Sequence, residues 1–451
     1  MKKYLKNSFI RLFALTVAAS LIGCSGSNTN NTNTSPDNNS SVSDSTTEAQ
    51  KKDPVTLKFP TFLVGTNVGA LPFNVILENF NKQNRDEIIV EIEDIPSDDA
   101  YKDKIKVLMS AGELPDIING KQGLFGLAVK GGYPLDFKPY IDNDAQWKAS
   151  IGDNALLANS RDGKIYSIAD SVDIIGYFYN KEMFEKAGIK PATTWDEWFS
   201  NCDKLKKAGF TPLAMMTGEN SWTTNLILAS LVGTNGDAGN KFMNTMHPKS
   251  FETPEMIDAL KKIQNMLQNF TTKDALGAKY NDAANNFLSE KAAIIANGPW
   301  MIGDFSNKEK AAEGFDKKVG CSAYPGSGMV IAYREGWMVT SKTDANKEAA
   351  VKLVKALTGD PAQQVNLELS SVPPLSSTVT VSDEFKQKNP LLAELINANS
   401  QAKLRYKNLD TIDYANVTDT FANIYPALTM NKLTAEQVAK KLSEAAEKNK
   451  D

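Results

Sequence analysis

Apolar and polar residues alternate at Val55-Thr56-Leu57-Lys58-Phe59, the period of a half-exposed strand. A polar, Gly-containing loop runs on to Ala70, and Pro72 opens a helix whose Phe73, Ile76, Leu77 and Phe80 share one face. Ile88 to Ile92 predicts the next strand. Ser97 then caps a helix with Tyr101, Ile105, Leu108 and Met109 inward, and Gly112 closes it. Leu114-Pro115-Asp116-Ile117-Ile118 is a short buried strand entering a Gly-rich loop. Strand, helix, strand, helix, strand implies a parallel α/β sheet.

Farther along, Thr194-Trp195-Asp196-Glu197 has the spacing of a capping box, with Trp195, Trp198, Cys202 and Leu205 on one face and Gly209 at the end. Thr253-Pro254-Glu255 opens another helix with Ile257, Leu260, Ile263 and Leu267 inward, and Asp344 starts one that runs to Gly359. Between them a helix ends near Glu290 and a strand passes through Ala293 to Ala296. There is no internal repeat and no heptad pattern.

The amino terminus has a different pattern. Lys2, Lys3, Lys6 and Arg11 precede an uncharged apolar run, Leu12 to Ile22, too short for a stable membrane span. The run ends in Leu21-Ile22-Gly23-Cys24, which resembles the lipobox of bacterial lipoproteins. That resemblance implies diacylglyceryl transfer to the Cys24 sulfur and cleavage before it, so residues 1–23 would be a lipoprotein signal peptide. An ordinary cleaved signal with an incidental cysteine is the alternative. Two acyl chains suit stable anchoring, because each buried methylene contributes about 0.8 kcal/mol. Residues 25–52 are almost wholly Ser, Asn, Thr, Asp and Gly, with nothing to bury, and so form a flexible tether. As a coil it would span roughly 30 Å.

Charge and composition narrow the function. Loss of the four leader cations takes the formal balance from −4 to −8, which offers no electrostatic footprint for nucleic acid. The remaining chain is too long for one core, so two domains are expected. Cys202 and Cys321 sit among apolar residues and read as small buried thiols. The single histidine, His247, argues against a histidine metal site or a Ser-His-Asp triad. Carboxylate chemistry stays open on composition, and no cofactor is expected.

A set of segments, in order, resembles the extracellular solute-binding proteins of ABC importers, specifically the sugar-binding family that includes maltose-binding protein. The segments are Ala111-Gly112-Glu113-Leu114-Pro115-Asp116-Ile117, Asp162-Gly163-Lys164-Ile165-Tyr166-Ser167-Ile168 and Gly176-Tyr177-Phe178-Tyr179-Asn180-Lys181-Glu182-Met183-Phe184. Ala187-Gly188-Ile189, Pro191, Thr194 to Glu197, Phe287 with Glu290 to Ala293, Asn297-Gly298-Pro299-Trp300 and Glu335-Gly336-Trp337 follow. The resemblance covers almost the whole chain after residue 53. Its one departure is Ser167-Ile168-Ala169, where the family usually carries proline.

The resemblance implies a two-lobed α/β, periplasmic-binding-protein-like (type II) fold, with a ligand cleft between lobes joined by crossover hinge strands. The crossovers should fall near Gly163 to Ser171, near Val330 to Trp337, and at Val372-Pro373-Pro374. Lobe one is then 53–165 plus 334–370, and lobe two is 166–333 plus 371–451. Implied partners are a carbohydrate ligand, an ABC permease with its cytoplasmic ATPase, and a membrane held through the lipid anchor. The protein would act as a monomer on the outer face of the cytoplasmic membrane. No Gly-x-x-x-x-Gly-Lys-Ser/Thr loop is present, so ATP hydrolysis would belong to the partner. The alternatives are a surface-anchored carbohydrate-active enzyme using a carboxylate pair, or a binding protein of the same fold for a non-sugar solute.

Sugar recognition needs an aromatic face for the C–H surface and planar polar groups for the hydroxyls. Trp300 matches the position at which maltose-binding protein stacks a tryptophan on sugar, and Asp173 matches an acidic sugar contact there. Trp337 adjoins the return crossover and is expected to touch ligand. Trp222 lies in a polar loop, as either a stacking platform or a lid packed on its lobe. Asn119, Lys121 and Gln122 follow a strand at its carboxyl end, where α/β sheets bind ligands. Phe62 and Asn67 share that edge. Asp413 and Tyr414 fall where the family often supplies one more contact. Trp195 and Trp198 are at core spacing, Asp116 reads as structural, and Trp147 has no context that suggests a site. No metal ligand is expected.

Overall fold

The computed structural model describes residues 53–449 except 66, 68, 96 and 122. Cys24, the leader, the tether and Gln122 therefore lie outside the described residues. The helices start where side chains satisfy their first free N–H groups. The Ser97 hydroxyl accepts the Ala100 N–H at the head of Asp98–Ala111, and the Thr253 hydroxyl accepts that of Met256 at the head of Pro254–Asn269. Thr194 accepts the Glu197 N–H, but the Glu197 carboxylate reaches one residue past the expected partner, taking the N–H and hydroxyl of Thr193.

Among the described residues twelve strands run in chain order. They are β1 Val55–Thr61, β2 Ile88–Asp94, β3 Ile117–Asn119, β4 Ser160–Arg161, β5 Lys164–Ile165 and β6 Val172–Asn180. After these come β7 Thr211–Ala214, β8 Ala292–Asn297, β9 Val319–Ser322, β10 Gly328–Tyr333, β11 Trp337–Val339 and β12 Leu404–Tyr406. β1 and β2 pair in parallel, and β3 pairs antiparallel with β11, Asn119 opposite Trp337. The other sheet has the order β12-β10-β6-β8-β7, with β9 also on β6. It is mixed. β7 and β8 are parallel, as are β10 and β12, but β6 runs against β8, β9 and β10. The expected parallel arrangement holds for β1 with β2, β7 with β8 and β10 with β12, and breaks at β3, which pairs antiparallel with the returning β11, and at β6, which enters this sheet directly from the other lobe.

Each lobe has its own core, and that of lobe two is divided. Leu57, Phe59, Phe73, Ile76, Phe80, Trp147 and Val354 pack round Trp337 in lobe one, extended by Phe62, Tyr101, Ile105 and Ile118. In lobe two Trp198, Cys202, Leu205, Leu213, Leu226 and Val438 share one core, and Phe178, Phe287, Phe305 and Phe315 meet edge to face in another. Cys202 and Cys321 are buried free thiols. Asp116 is structural: its carboxylate takes the Lys58 N–H and the Asn346 amide, tying β1 to the helix Asp344–Thr358.

Three connections join the lobes. Ile168 exchanges two backbone hydrogen bonds with Trp337, after which residues 169–171 lead into β6. The chain returns from β10 through Arg334, whose N–H reaches the Ser171 carbonyl, and through Gly336. Only glycine fits there. Its φ is +61°, and a Cβ would lie 2.0 Å from the Ile168 carbonyl oxygen. The third connection follows the helix Asp360–Ser370, which ends at Ser371 in the left-handed region before Val372-Pro373-Pro374. The helix Pro390–Gln401 then packs on β9 and β6.

Candidate ligand cleft

Strand direction decides which loops face the connections. β6 starts at the crossover and runs against β8, so the carboxyl end of β8 (Asn297, opposite Gly176) turns toward the edge where the chain enters lobe two. β7 is parallel to β8 and ends at the same edge. In lobe one β11 starts at the return crossover and runs against β3, which places Asn119, the carboxyl end of β3, at the crossover. Both lobes thus turn the carboxyl ends of their strands toward the connections, the edge at which α/β sheets bind ligands.

A cavity of about 260 Å³ lies at this edge of lobe one. All three connections contribute to its wall: Asp170 and Ser171, Arg334, and Ser370 with Val372. Phe62, Asn67, Asp98 and Lys121 complete its polar side. Hollows of about 690 and 490 Å³ are lined by lobe-one residues alone and touch no connection, and one of about 310 Å³, between residues 154–158 and the strands β10 and β12, includes none of Asp170, Arg334 and Val372. Lys121 Nζ sits 2.6 Å from Asp98 and 4.0 Å over the Phe62 ring. Asn67 Oδ1 accepts the Gly69 N–H at 2.9 Å. Asn119 is buried, accepting the Lys121 N–H at Oδ1 and donating Nδ2 to Asp170 at 3.3 Å. It holds the cavity's residues in place rather than forming its wall.

Two residues sit differently from the sequence reading. Asp173 is outside the cavity wall, its carboxylate engaged by the Arg334 guanidinium at 2.9 Å. Trp337 is 3% exposed, with Phe59 edge-on at 5.1 Å and Phe73 stacked at 6.5 Å. It forms the cavity's floor from inside the core and offers no open ring face.

The matching edge of lobe two is aromatic. Trp300 follows β8 in the turn Pro299–Met301 and is 44% exposed. Its ring folds over Gly298, where a Cβ would lie 2.2 Å from it, so the glycine is what lets the indole lie there. Trp222 starts the helix that follows β7, with its ring 5.4 Å from Trp300 and 6.1 Å from Tyr280. The loop before it holds Glu219 and Ser221 at positive φ, backbone strain of the kind that clusters at ligand-handling segments. Trp198 is core and Trp195 half-buried, with its indole N–H on the Thr234 hydroxyl. Trp147 is buried and bonded to Thr358. Tyr414 stacks on His247 at 4.3 Å beside Lys249, in a group that shares no residue with the cavity or the aromatic edge.

Sequence reading missed Asp98, Asp170, Arg334 and Tyr280. Asp98 carries only the signal of an acid in the first turn of a helix, and Asp170 and Arg334 flank motifs without belonging to them. Tyr280 carries no local signal.

Behind the Trp222 loop lies a buried polar network. The Tyr425 hydroxyl donates to Asn225 at 2.7 Å, Asn225 to the Asn220 carbonyl, and Asn220 Nδ2 to Asp410 at 3.0 Å. Asp410 Oδ1 and both Asp413 oxygens are buried without a hydrogen-bond partner among the described residues. Burial pushes the Asp410 carboxyl up to about 7, and burial beside Asp410 lifts Asp413 well above its usual range. The folded chain therefore binds protons that the unfolded chain releases above about pH 4. Stability should fall as pH rises from there through about 7, and Asp413 adds to the fall in the same direction. Asp410→Asn should flatten that slope and raise stability at pH 8, read as urea midpoints at pH 5 and 8.

No helix among the described residues is long and apolar enough to cross a membrane. The profile of the bacterial extracellular solute-binding proteins matches residues 68–364. A multiple sugar-binding protein of Streptococcus mutans is 28% identical over 66% of this chain and 70% of its own length. A probable sugar-binding periplasmic protein of Brucella suis is 26% identical over 59% of this chain and 63% of its own. Among solved structures, a Streptococcus pneumoniae solute-binding protein in complex with the blood group A-trisaccharide superposes with a TM-score of 0.66 at 23% identity, over 87% of this chain and all of the other. A family 1 extracellular solute-binding protein from Bifidobacterium longum subsp. infantis does so at 0.71 and 18% identity, over 88% of this chain and all of the other. With the profile covering well over half of the sequence and the two-lobed fold shared along most of it, the chain belongs to the bacterial extracellular solute-binding protein family.

Proposed function

We propose that this protein captures a mono- or oligosaccharide between its lobes and delivers it to the permease of an ABC importer, binding without turnover. The carrying observation is the pairing of a cavity walled by all three connections, whose charged groups are Asp98, Lys121, Asp170 and Arg334, with the edge of lobe two where Trp300 is exposed beside Trp222. A pyranose presents an apolar face and a rim of hydroxyls, and this pairing offers one surface for each. Ligand held by both lobes favours the closed form only through contacts that are better there, so the residues at the connections set the gain. The sugar-binding names of the relatives support the same class of ligand.

A thermal-shift screen over neutral mono- and oligosaccharides tests the proposal, since a ligand at 100 times its dissociation constant adds about 2.7 kcal/mol. Hits should compact the protein in small-angle scattering. No shift with any sugar, or product accumulating from one, would overturn it. Cys24 is proposed as the lipid anchor and residues 25–52 as the leash that keeps the receptor near its permease. Cys24→Ser should release the protein into the medium with its binding intact, whereas retention in the membrane fraction would reject the anchor.

A further inference from the structure

We propose that the cleft selects against anionic saccharides, and that Asp170 is the carboxylate that accepts a ligand hydroxyl and enforces the exclusion. The inference rests on the carbohydrate reading above. The cavity wall contains two cations, Lys121 and Arg334, and both are engaged. Lys121 is paired with Asp98 at 2.6 Å and also feels Glu335. Arg334 is paired with Asp173 at 2.9 Å and is further surrounded by Asp170 and Glu335. Asp98 and Asp170 line the cavity, and Asp173 and Glu335, outside its wall, act on the same two cations, so four carboxylates share two cations. A uronate would enter an acidic surplus with no unengaged cation to receive it, and burying an uncompensated like charge is costly. Burial raises the Glu335 carboxyl above its usual range, with Asp170 adding to the rise and Arg334 and Lys121 opposing it.

Asp170 differs from the other three. It lines the cavity and forms no ion pair among the described residues, Arg334 being paired with Asp173, and it is oriented by the Ser171 hydroxyl at 2.9 Å and the Asn119 amide at 3.3 Å. Each of its oxygens has a spare lone pair, so the group is held in place as an acceptor. It stands at the first connection, between the lobes, where a contact is made best on closure. Asp173, the acid singled out by resemblance, is committed to Arg334.

The test is calorimetric titration of the full chain with xylotriose, maltotriose and cellotriose as neutral probes, and with aldotriouronic acid and trigalacturonate as anionic ones. The anionic probes should bind at least about tenfold more weakly than the best neutral probe. Asp170→Asn keeps the shape and removes the charge. It should weaken the best neutral probe about tenfold, narrow its margin over the uronates, and leave the unfolding midpoint unchanged. Equal or tighter binding of a uronate to the wild type would overturn this inference and leave the carbohydrate reading standing. So would an Asp170→Asn protein with unaltered affinities. If no saccharide of either kind binds, the carbohydrate reading falls and takes this inference with it.

Discussion

Trp300→Ala should remove most of the ligand affinity, about 2–4 kcal/mol, while leaving the fold nearly untouched. The expectation comes from exposure. At 44% accessible, the indole is the most exposed of the tryptophans and so the least committed to the core, and it presents an apolar face at the carboxyl edge of lobe two. Its neighbour Trp222 lies 5.4 Å away at 56°, so the two rings form a cleft-edge surface larger than either alone. Titration calorimetry on the best sugar measures the loss, and a urea midpoint shared with the wild type shows that folding is intact. Trp222→Ala would give a mixed result, because that ring is half-buried against the lobe-two core. If Trp300→Ala binds like the wild type, the ring is not a sugar platform.

Trp337→Ala should do the reverse, costing about 3–5 kcal/mol of stability by opening a cavity in a packed core. Phe59 and Phe73 close on two sides of this indole, and its backbone carries both hydrogen bonds to Ile168. The loss would appear as a lower urea midpoint, with the open–closed equilibrium loosened because the cavity abuts the connection itself. Affinity should fall less than in Trp300→Ala. Lost binding with unchanged stability would instead restore the contact role expected of Trp337 from its place at the return crossover. The two variants form a pair, since each changes a tryptophan just past a glycine near a crossover, with opposite expected readouts.

Much of the architecture was legible because it depends on local rules. Ser97, Thr194 and Thr253 announce helix starts through side-chain caps that need only a few residues of context. The phase of Phe73, Ile76, Leu77 and Phe80 predicts a buried face that the core of lobe one then occupies. The ordered motifs pointed to the two-lobed fold and the family, and the profile match and structural likeness support both. The direction of β6 was not legible. Its residues read as a strand whichever way the neighbouring strands run, and only the crossover sets it against β8.

What the sequence by itself determined is therefore the set of elements, their order, their core faces and the family. The tertiary structure decided which candidates have a free surface. Trp300 and Trp337 carry similar local signals, and partners far away in the chain leave one half-exposed and bury the other against Phe59 and Phe73. Asp170 and Asp173 are three residues apart. Arg334, 161 positions beyond Asp173, commits one carboxylate and leaves the other to the cavity. The physical reason is common to both cases: periodicity and capping are properties of neighbours along the chain, whereas exposure and charge pairing are properties of neighbours in space.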